Sequence, residues 1–377
     1  MVEINATDPE VVANPFGTYA RVAAEAAVAR LVVPGMTTFW VLTRLNSARG
    51  MLTDTRFELN SASFMRPPNI PEHCLKYMRT MSEMNGPEHL RLRRAVAPAF
   101  TPKRMDVLRP RITEIVDGLI DTFPAGDVDL VEHFARPLPM DVICSLVGIP
   151  PADRASWQTW GAAIAAGDVS AFGEAIPGIM AGAEAALAHR RAVPADDLLG
   201  YLLTTTDLTN EELVTLVWQL ILAGQTPTNL LTNAVEALLD HPDQDFLADP
   251  ARAVEELLRW GSPQLLTVPR YATQDVEIDG VRIGQGEPVS AAMVAASRDP
   301  HVFPSPEVLD LARDASGHLA FGHGPHFCLG ASLARVETEI ALTRLLTRFP
   351  KMAVREARRA PDGGTWRLAL LRVALDG

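Results

Sequence analysis

Residues 321–330 read Phe-Gly-His-Gly-Pro-His-Phe-Cys-Leu-Gly, so three glycines, two histidines and one cysteine share ten positions. Glycine at this density lets a backbone turn sharply and pass close to something flat or bulky. Cys328 stands at the mouth of that turn, just ahead of an apolar stretch with charges at helical spacing. Helix N-terminal amides lower the pKa of a thiol and can bond its sulfur, so the position is friendly to a thiolate. The same residues also suit a structural turn around a buried cysteine.

Other groups carry chemistry in their spacing. His89 and Arg93 are four apart in Pro-Glu-His-Leu-Arg-Leu-Arg-Arg and project from one helix face. Glu256 and Arg259, three apart, can pair on a helix. Residues 223–229 read Ala-Gly-Gln-Thr-Pro-Thr-Asn. There Gln225, Thr226, Thr228 and Asn229 surround Pro227, which has no N–H and leaves the carbonyl of Ala223 without its helical partner.

The elements that must position these groups are legible in outline. Helical periodicity covers 19–29, extended segments 31–33 and 39–42, and a short helix 48–52. Residues 60–85 hold Pro67, Pro68, Pro71 and methionines 65, 78, 81 and 84, which predicts an irregular loop. Those methionines suit core filling as well as pocket cover. Residues 105–145 read as helix, loop and helix, with Cys144 in the core, and 151–200 as alanine-rich helix. Thr209 and Glu212 have capping-box spacing and open a helix predicted to run to about residue 239, roughly 30 residues or about 45 Å. Residues 265–272, 276–278, 281–283 and 288–292 alternate as strands, with Asp279-Gly280 as a hairpin turn. A helix over 331–347 and a strand over 366–373 follow.

The chain has 377 residues, 47% hydrophobic and 21% charged, ample for a large core. Its net charge of −12 argues against nucleic acid and anionic membranes as partners. With no run of 18 apolar residues and no basic leader, neither a membrane anchor nor a signal peptide is expected. Cys74, Cys144 and Cys328 lie far apart and form no disulfide framework or zinc pattern, which fits a reducing cytoplasm.

The spacing Phe, Gly, x, Gly, x, His, x, Cys, x, Gly resembles the haem-ligand loop of the cytochrome P450 family. Weaker motifs follow in the family's order over essentially the whole chain. The resemblance implies a mainly α fold with a smaller β region, a single domain over 1–377 in which a β-rich lobe, about 30–60 and 262–292, packs on the helical body. It implies haem b with Cys328 as the thiolate ligand of iron, which favours O–O cleavage. Phe321, Gly322 and Gly330 belong to the ligand loop. His89, Arg93, Arg270 and His326 are the implied donors to the buried propionates. Ala223 and Gly224 belong to the helix that crosses the haem. Glu256 and Arg259 imply a buried tie to the coil beneath it. The family's third member, an arginine in Pro-x-Arg-Phe, is missing from Pro306-Glu-Val-Leu, and Arg313 is a possible substitute. Arg91, Arg94, Lys103 and Arg104 read either as a docking patch for an acidic ferredoxin or as a solvated helix face. Residues 165–177 look short for the lid helices and their loop. Electrons would come from a ferredoxin or flavodoxin with its reductase, dioxygen would be the oxidant, and the protein would be a cytoplasmic monomer.

One departure stands out. The family's helix centre reads Ala-Gly-x-acid-Thr-Thr/Ser, and its acid–alcohol pair delivers the protons that help split dioxygen. Aligned on Ala223 and Gly224, Thr226 takes the acid position and Pro227 the alcohol position. Pro227 either alters the relay, with Gln225, Thr226, Thr228 and Asn229 anchoring replacement waters, or only kinks the helix, or does both. Three functions follow: hydroxylation of a small hydrophobic natural product, oxidative coupling of aromatic side chains in a small peptide-like substrate, and non-catalytic haem binding. The altered helix centre and short lid lean toward coupling, in specialised metabolism.

Overall fold

The computed structural model describes residues 1–35, 37–64, 70–165, 169–224, 226–360 and 364–376. The helices used below are α1 (Pro15–Glu25), α2 (Leu45–Thr53), α3 (Gly86–Val96), α4 (Pro102–Ile120), α5 (Pro137–Val147), α6 (Arg154–Ala165), α7 (Val169–Ala192), α8 (Asn210–Ala223), α9 (Thr226–Asp240), α10 (Pro250–Trp260) and α11 (Ala331–Arg348). The chain gathers into two compact units. One holds Met1–Phe64, Asn229–Ala331 and Pro350–Gly377, the other Met65–Thr228 and Ser332–Phe349.

The first unit carries a six-stranded sheet in the order Glu3–Asn5, Val28–Val32, Phe39–Leu42, Pro288–Ala291, Arg270–Ala272, Phe57–Glu58. Phe39–Leu42 runs antiparallel to Val28–Val32 and parallel to Pro288–Ala291, with Trp40 opposite Val289. Strands from both stretches expected to form a β region, about 30–60 and 262–292, therefore share one sheet, while Val276–Ile278 and Val281–Ile283 pair in a separate two-stranded sheet. Leu45, Ala48, Met51 and Leu52 give α2 an apolar face, which enters a core with Leu42, Phe57, Val289, Ala291 and Leu319. Asp279 (φ 48°) and Gly280 (φ 75°) form the anticipated hairpin turn.

Several boundaries differ from the sequence reading. α1 stops at Glu25 rather than near residue 29, because Val28–Val32 is taken by two sheet neighbours. The strand predicted over 265–272 shrinks to Arg270–Ala272. Pro263 and Pro269 have no N–H for a continuous ladder, and Gln264 and Leu266 make only isolated bridges, to Thr365 and Ala292. The last strand begins at Leu368, so Trp366 precedes it.

The second unit is helical. Two bidentate ion pairs brace α4 against α11: Arg109 with Glu339 at 3.0 and 2.7 Å, and Arg344 with Asp117 at 2.7 and 2.8 Å. Trp157 and Trp160 of α6 meet edge to face at 5.1 Å, and α7 admits them at Gly178 and Gly182. A Cβ added at Gly178 would lie 2.8 Å from the Trp160 ring. α6 ends at Ala165 and α7 begins at Val169; residues 166–168, part of the stretch expected to form a short lid, lie outside the described residues, as do Met65, Pro67 and Pro68. Met78, Met81 and Met84 are buried, as are Cys74 and Cys144.

The predicted 30-residue helix is two helices. The Thr209–Glu212 capping box is present, with N–H to oxygen distances of 3.2 and 2.8 Å. α8 then ends at Ala223, the chain turns at Gly224, and α9 starts at Thr226. Pro227 suits this break, because a residue without an N–H is favoured in a first helical turn, whereas Pro110 and Pro177 lie inside α4 and α7. Among the described residues, no helix is long and apolar enough to cross a membrane.

Candidate active site

In the first unit the cysteine loop is built on backbone conformations that favour glycine. Gly322 and Gly324 have φ values of 70° and 73°. A Cβ at Gly324 would lie 2.9 Å from the Leu52 carbonyl, so the loop passes close to the end of α2. The Cys328 N–H donates to the Phe321 carbonyl at 2.8 Å, and the Gly322 N–H to the Leu319 carbonyl at 2.8 Å. Nothing lies within 4 Å of a Cβ added at Gly330. His326 is half-buried in the turn Gly324–His326. Cys328 is exposed, whereas Cys74 and Cys144 are buried. Burial pushes both buried thiols up, Cys144 to about 12. Cys328 is thus the cysteine able to offer a sulfur to an external partner.

Arg270 comes to the same place. It is buried, and its Nη1 donates to the Leu52 carbonyl at 2.9 Å, the oxygen that Gly324 approaches. Burial pushes its guanidinium down to about 10, and it has no carboxylate partner among the described residues. A buried cation in that state suits an anionic ligand group such as a propionate. An exposed cysteine on a glycine cradle beside such an arginine fits haem.

The coil around the loop is anchored by α10. Glu256 and Arg259 are fully buried and bonded at 2.6 and 2.8 Å. Arg259 also donates to the carbonyls of Ser297 and Pro306 at 3.2 and 2.9 Å. Arg313 supplies the missing third member, its Nε 3.1 Å from Glu256 Oε1. Arg298 lies between the rings of Phe16 and Trp260, at 4.4 and 4.9 Å. One residue that sequence reasoning passed over is His318, whose Nε2 lies 3.2 Å from Glu255 and whose Nδ1 accepts the Ala320 N–H at 3.1 Å. Its only signal was a lone histidine among apolar neighbours in Gly-His-Leu-Ala-Phe.

In the second unit, α3 carries His89, 2% exposed, and Arg93, half-buried, one turn apart. Of the four cations in the suggested docking patch, Arg91 is bound to Glu212, and Arg104 stacks on Tyr201 at 4.9 Å. Arg94 and Lys103 remain exposed. α3 and α8 border an open pocket of about 190 Å³ against Met81 and Met84, lined by Leu92, Val96 and Leu216 and also by Arg79, Glu88, Glu212 and Gln219. At the helix junction, Ala223 is exposed and Thr226 and Pro227 are half-buried, while Thr228 is buried. The Gly224 N–H donates to the Leu220 carbonyl at 2.8 Å. Gln225 lies outside the described residues.

Comparison with known proteins agrees with this geometry. The cytochrome P450 family model matches residues 251–368. Over 369 residues the chain is 39% identical to the cytochrome P450 monooxygenase PikC of Streptomyces venezuelae, covering 94% of this chain and 88% of that one. The solved structure of the bacillaene polyketide synthase cytochrome P450 PksS of Bacillus subtilis matches with a TM-score of 0.90 and 31% identity, over 99% of this chain and 100% of the other. The cytochrome P450 enzyme CxnD, for C–S bond formation in chuangxinmycin biosynthesis, matches with a TM-score of 0.85 and 30% identity, over 99% and 97% of the two chains. Enzymes of this kind carry haem b on a cysteine thiolate. From the glycine-cradled cysteine and from identity along nearly its whole length, the chain belongs to the cytochrome P450 family.

Proposed function

We propose that the protein is a monooxygenase of a small specialised metabolite, with Cys328 as the axial ligand of its haem. The observation that carries this reading is the exposed Cys328 on its glycine cradle, with the other two cysteines buried. A thiolate-bound haem supplies the reductive activation of dioxygen. The chain's residues do the rest. Loop amides would hold the sulfur, Phe321, Gly322 and Gly330 would let a flat ring approach, and Arg270, His326, His89 and Arg93 would neutralise the propionates. Thr226, Thr228 and Gln225 offer hydroxyl and amide groups to water or to a substrate hydroxyl, while Pro227 has no proton to give. Hydroxylation balances as RH + O2 + two electrons + two protons to ROH + water. The electrons come from a ferredoxin or flavodoxin through a reductase, and Arg94 and Lys103 are the cations left to meet it. We place the enzyme in the cytoplasm as a monomer. The monooxygenase PikC, at 39% identity, supports this first reading.

A second reading, oxidative coupling of aromatic side chains, is supported by the broken helix centre and by the C–S bond formation for which CxnD is named. Its balance removes one hydrogen from each of two positions and returns two waters. Mass spectrometry of turnover products separates the two, using purified protein, a surrogate ferredoxin and reductase, and a pool of host extract and Tyr/Trp-containing peptides. A product heavier by one oxygen supports monooxygenation, and one lighter by two hydrogens supports coupling. Absence of electron-driven dioxygen consumption with every donor and substrate overturns both in favour of non-catalytic haem binding.

A further inference from the structure

We infer that His318 is a positioning residue for the cysteine loop, an inference that rests on Cys328 being the axial ligand. His318 is 9% exposed and stands ten residues before Cys328. Its two ring nitrogens have different partners. Nδ1 accepts the Ala320 N–H at 3.1 Å, so it carries no proton of its own. Nε2 therefore carries the proton and donates it to Glu255 Oε2 at 3.2 Å. The tautomer and the ring plane are both set by these partners.

Glu255 sits on α10 beside Glu256. That helix thus grips the chain with two adjacent carboxylates: Glu256 holds Arg259 and Arg313, and Glu255 holds the entry to the cysteine loop through His318. The His318 ring also packs against Phe321, centroids 5.8 Å apart, and the Phe321 carbonyl accepts the Cys328 N–H at 2.8 Å. Between them, Leu319 donates its N–H to Ser297 Oγ at 3.0 Å and accepts from Gly322 at 2.8 Å. Short contacts therefore run from a rigid helix to the backbone amide of the ligand residue. Removing the imidazole leaves the Ala320 N–H without its acceptor and loosens the ring that Phe321 leans on. The carbonyl that orients Cys328 then loses its support, and the sulfur becomes easier to displace.

The test reads the thiolate bond directly, in haem-loaded protein reduced under carbon monoxide. The measured quantity is the rate, in moderate urea, at which the red-shifted band of thiolate ligation gives way to the shorter-wavelength band of its loss. His318→Ala raises that rate about tenfold, the scale of one lost hydrogen bond. His318→Asn, whose Oδ1 can take the place of Nδ1, recovers part of the difference. Glu255→Gln keeps the shape, removes the charge, and gives a smaller rise. A wild-type rate in His318→Ala overturns the inference, and so does a loss of far-UV circular dichroism on the same time course, which would make the role purely structural. If His318→Ala fails to take up haem, Glu255→Gln decides: a faster rate supports the inference and an unchanged one overturns it. A wild-type protein with no red-shifted band overturns the Cys328 assignment itself, so the two failures are distinguishable.

Discussion

The cysteine loop and the junction of α8 with α9 are both breaks in regular structure, but they are held differently. The loop is tied at nearly every turn. His318 meets Glu255, Leu319 meets Ser297, Gly322 meets Leu319, Gly324 abuts Leu52, and Cys328 meets Phe321. The junction depends on Gly224 and Pro227, with threonines on either side of the proline. In the loop the backbone path is itself the device, because a thiolate must arrive at one position. The junction enters only the proposed chemistry, where water or a substrate hydroxyl stands in for a missing side chain. Family membership is written in the first region, and the second is where this sequence departs from the family pattern.

The sharpest break of this comparison is Cys328→Ser, expected to abolish the red-shifted carbon monoxide band completely; a variant that keeps it would remove the loop from the chemistry. Next is the anchor. Arg259→Ala leaves Glu256 buried without its main partner and should cost about 3–5 kcal/mol, read as a lower urea midpoint. Glu337→Gln then asks whether the helix that follows the loop fits as tightly. Glu337 is 2% exposed, and its Oε1 has no hydrogen-bond partner among the described residues. Burial pushes its carboxyl from 4.5 up to about 8. A carboxyl raised in the folded state favours folding fully below its unfolded value, and that contribution is lost as pH rises through 4.5 to about 8. Urea midpoints of the wild type should fall across that window, and Glu337→Gln should flatten the slope. The smallest structural effect is expected of Pro227→Thr, which restores an N–H and a hydroxyl at the junction. The amount of product per reductant consumed should change, and an unchanged ratio with an unchanged product would reduce Pro227 to a helix break.

Much of this was legible in the sequence. The glycine spacing, the Thr209–Glu212 cap, the Asp279-Gly280 turn and the Glu256–Arg259 pair are local signals, and each appears in the structure as read. Arg313 was reachable through the resemblance, which expects an arginine near Pro306, although its partner Glu256 lies 57 residues away. His318 was not, since its meaning depends on Glu255, 63 residues away. The helix break was underestimated because the apolar residues on either side of 223–229, such as Leu220, Ile221, Leu230 and Leu231, suggest one helix, while Ala-Gly-Gln-Thr-Pro-Thr-Asn between them carries little apolar pattern of its own.

By itself the sequence determined which backbone conformations are available. Glycines at 322 and 324 permit a left-handed path, Pro227 withholds one helical N–H, and Cys328 is the cysteine in a glycine-rich turn. Tertiary structure decided which groups are left without partners. It buried Arg270 without a carboxylate among the described residues, engaged Arg91 and Arg104 in contacts of their own, and ended α1 early to complete a sheet. The reason is that conformational preference is local to a few residues, whereas desolvation and pairing depend on atoms brought from distant parts of the chain.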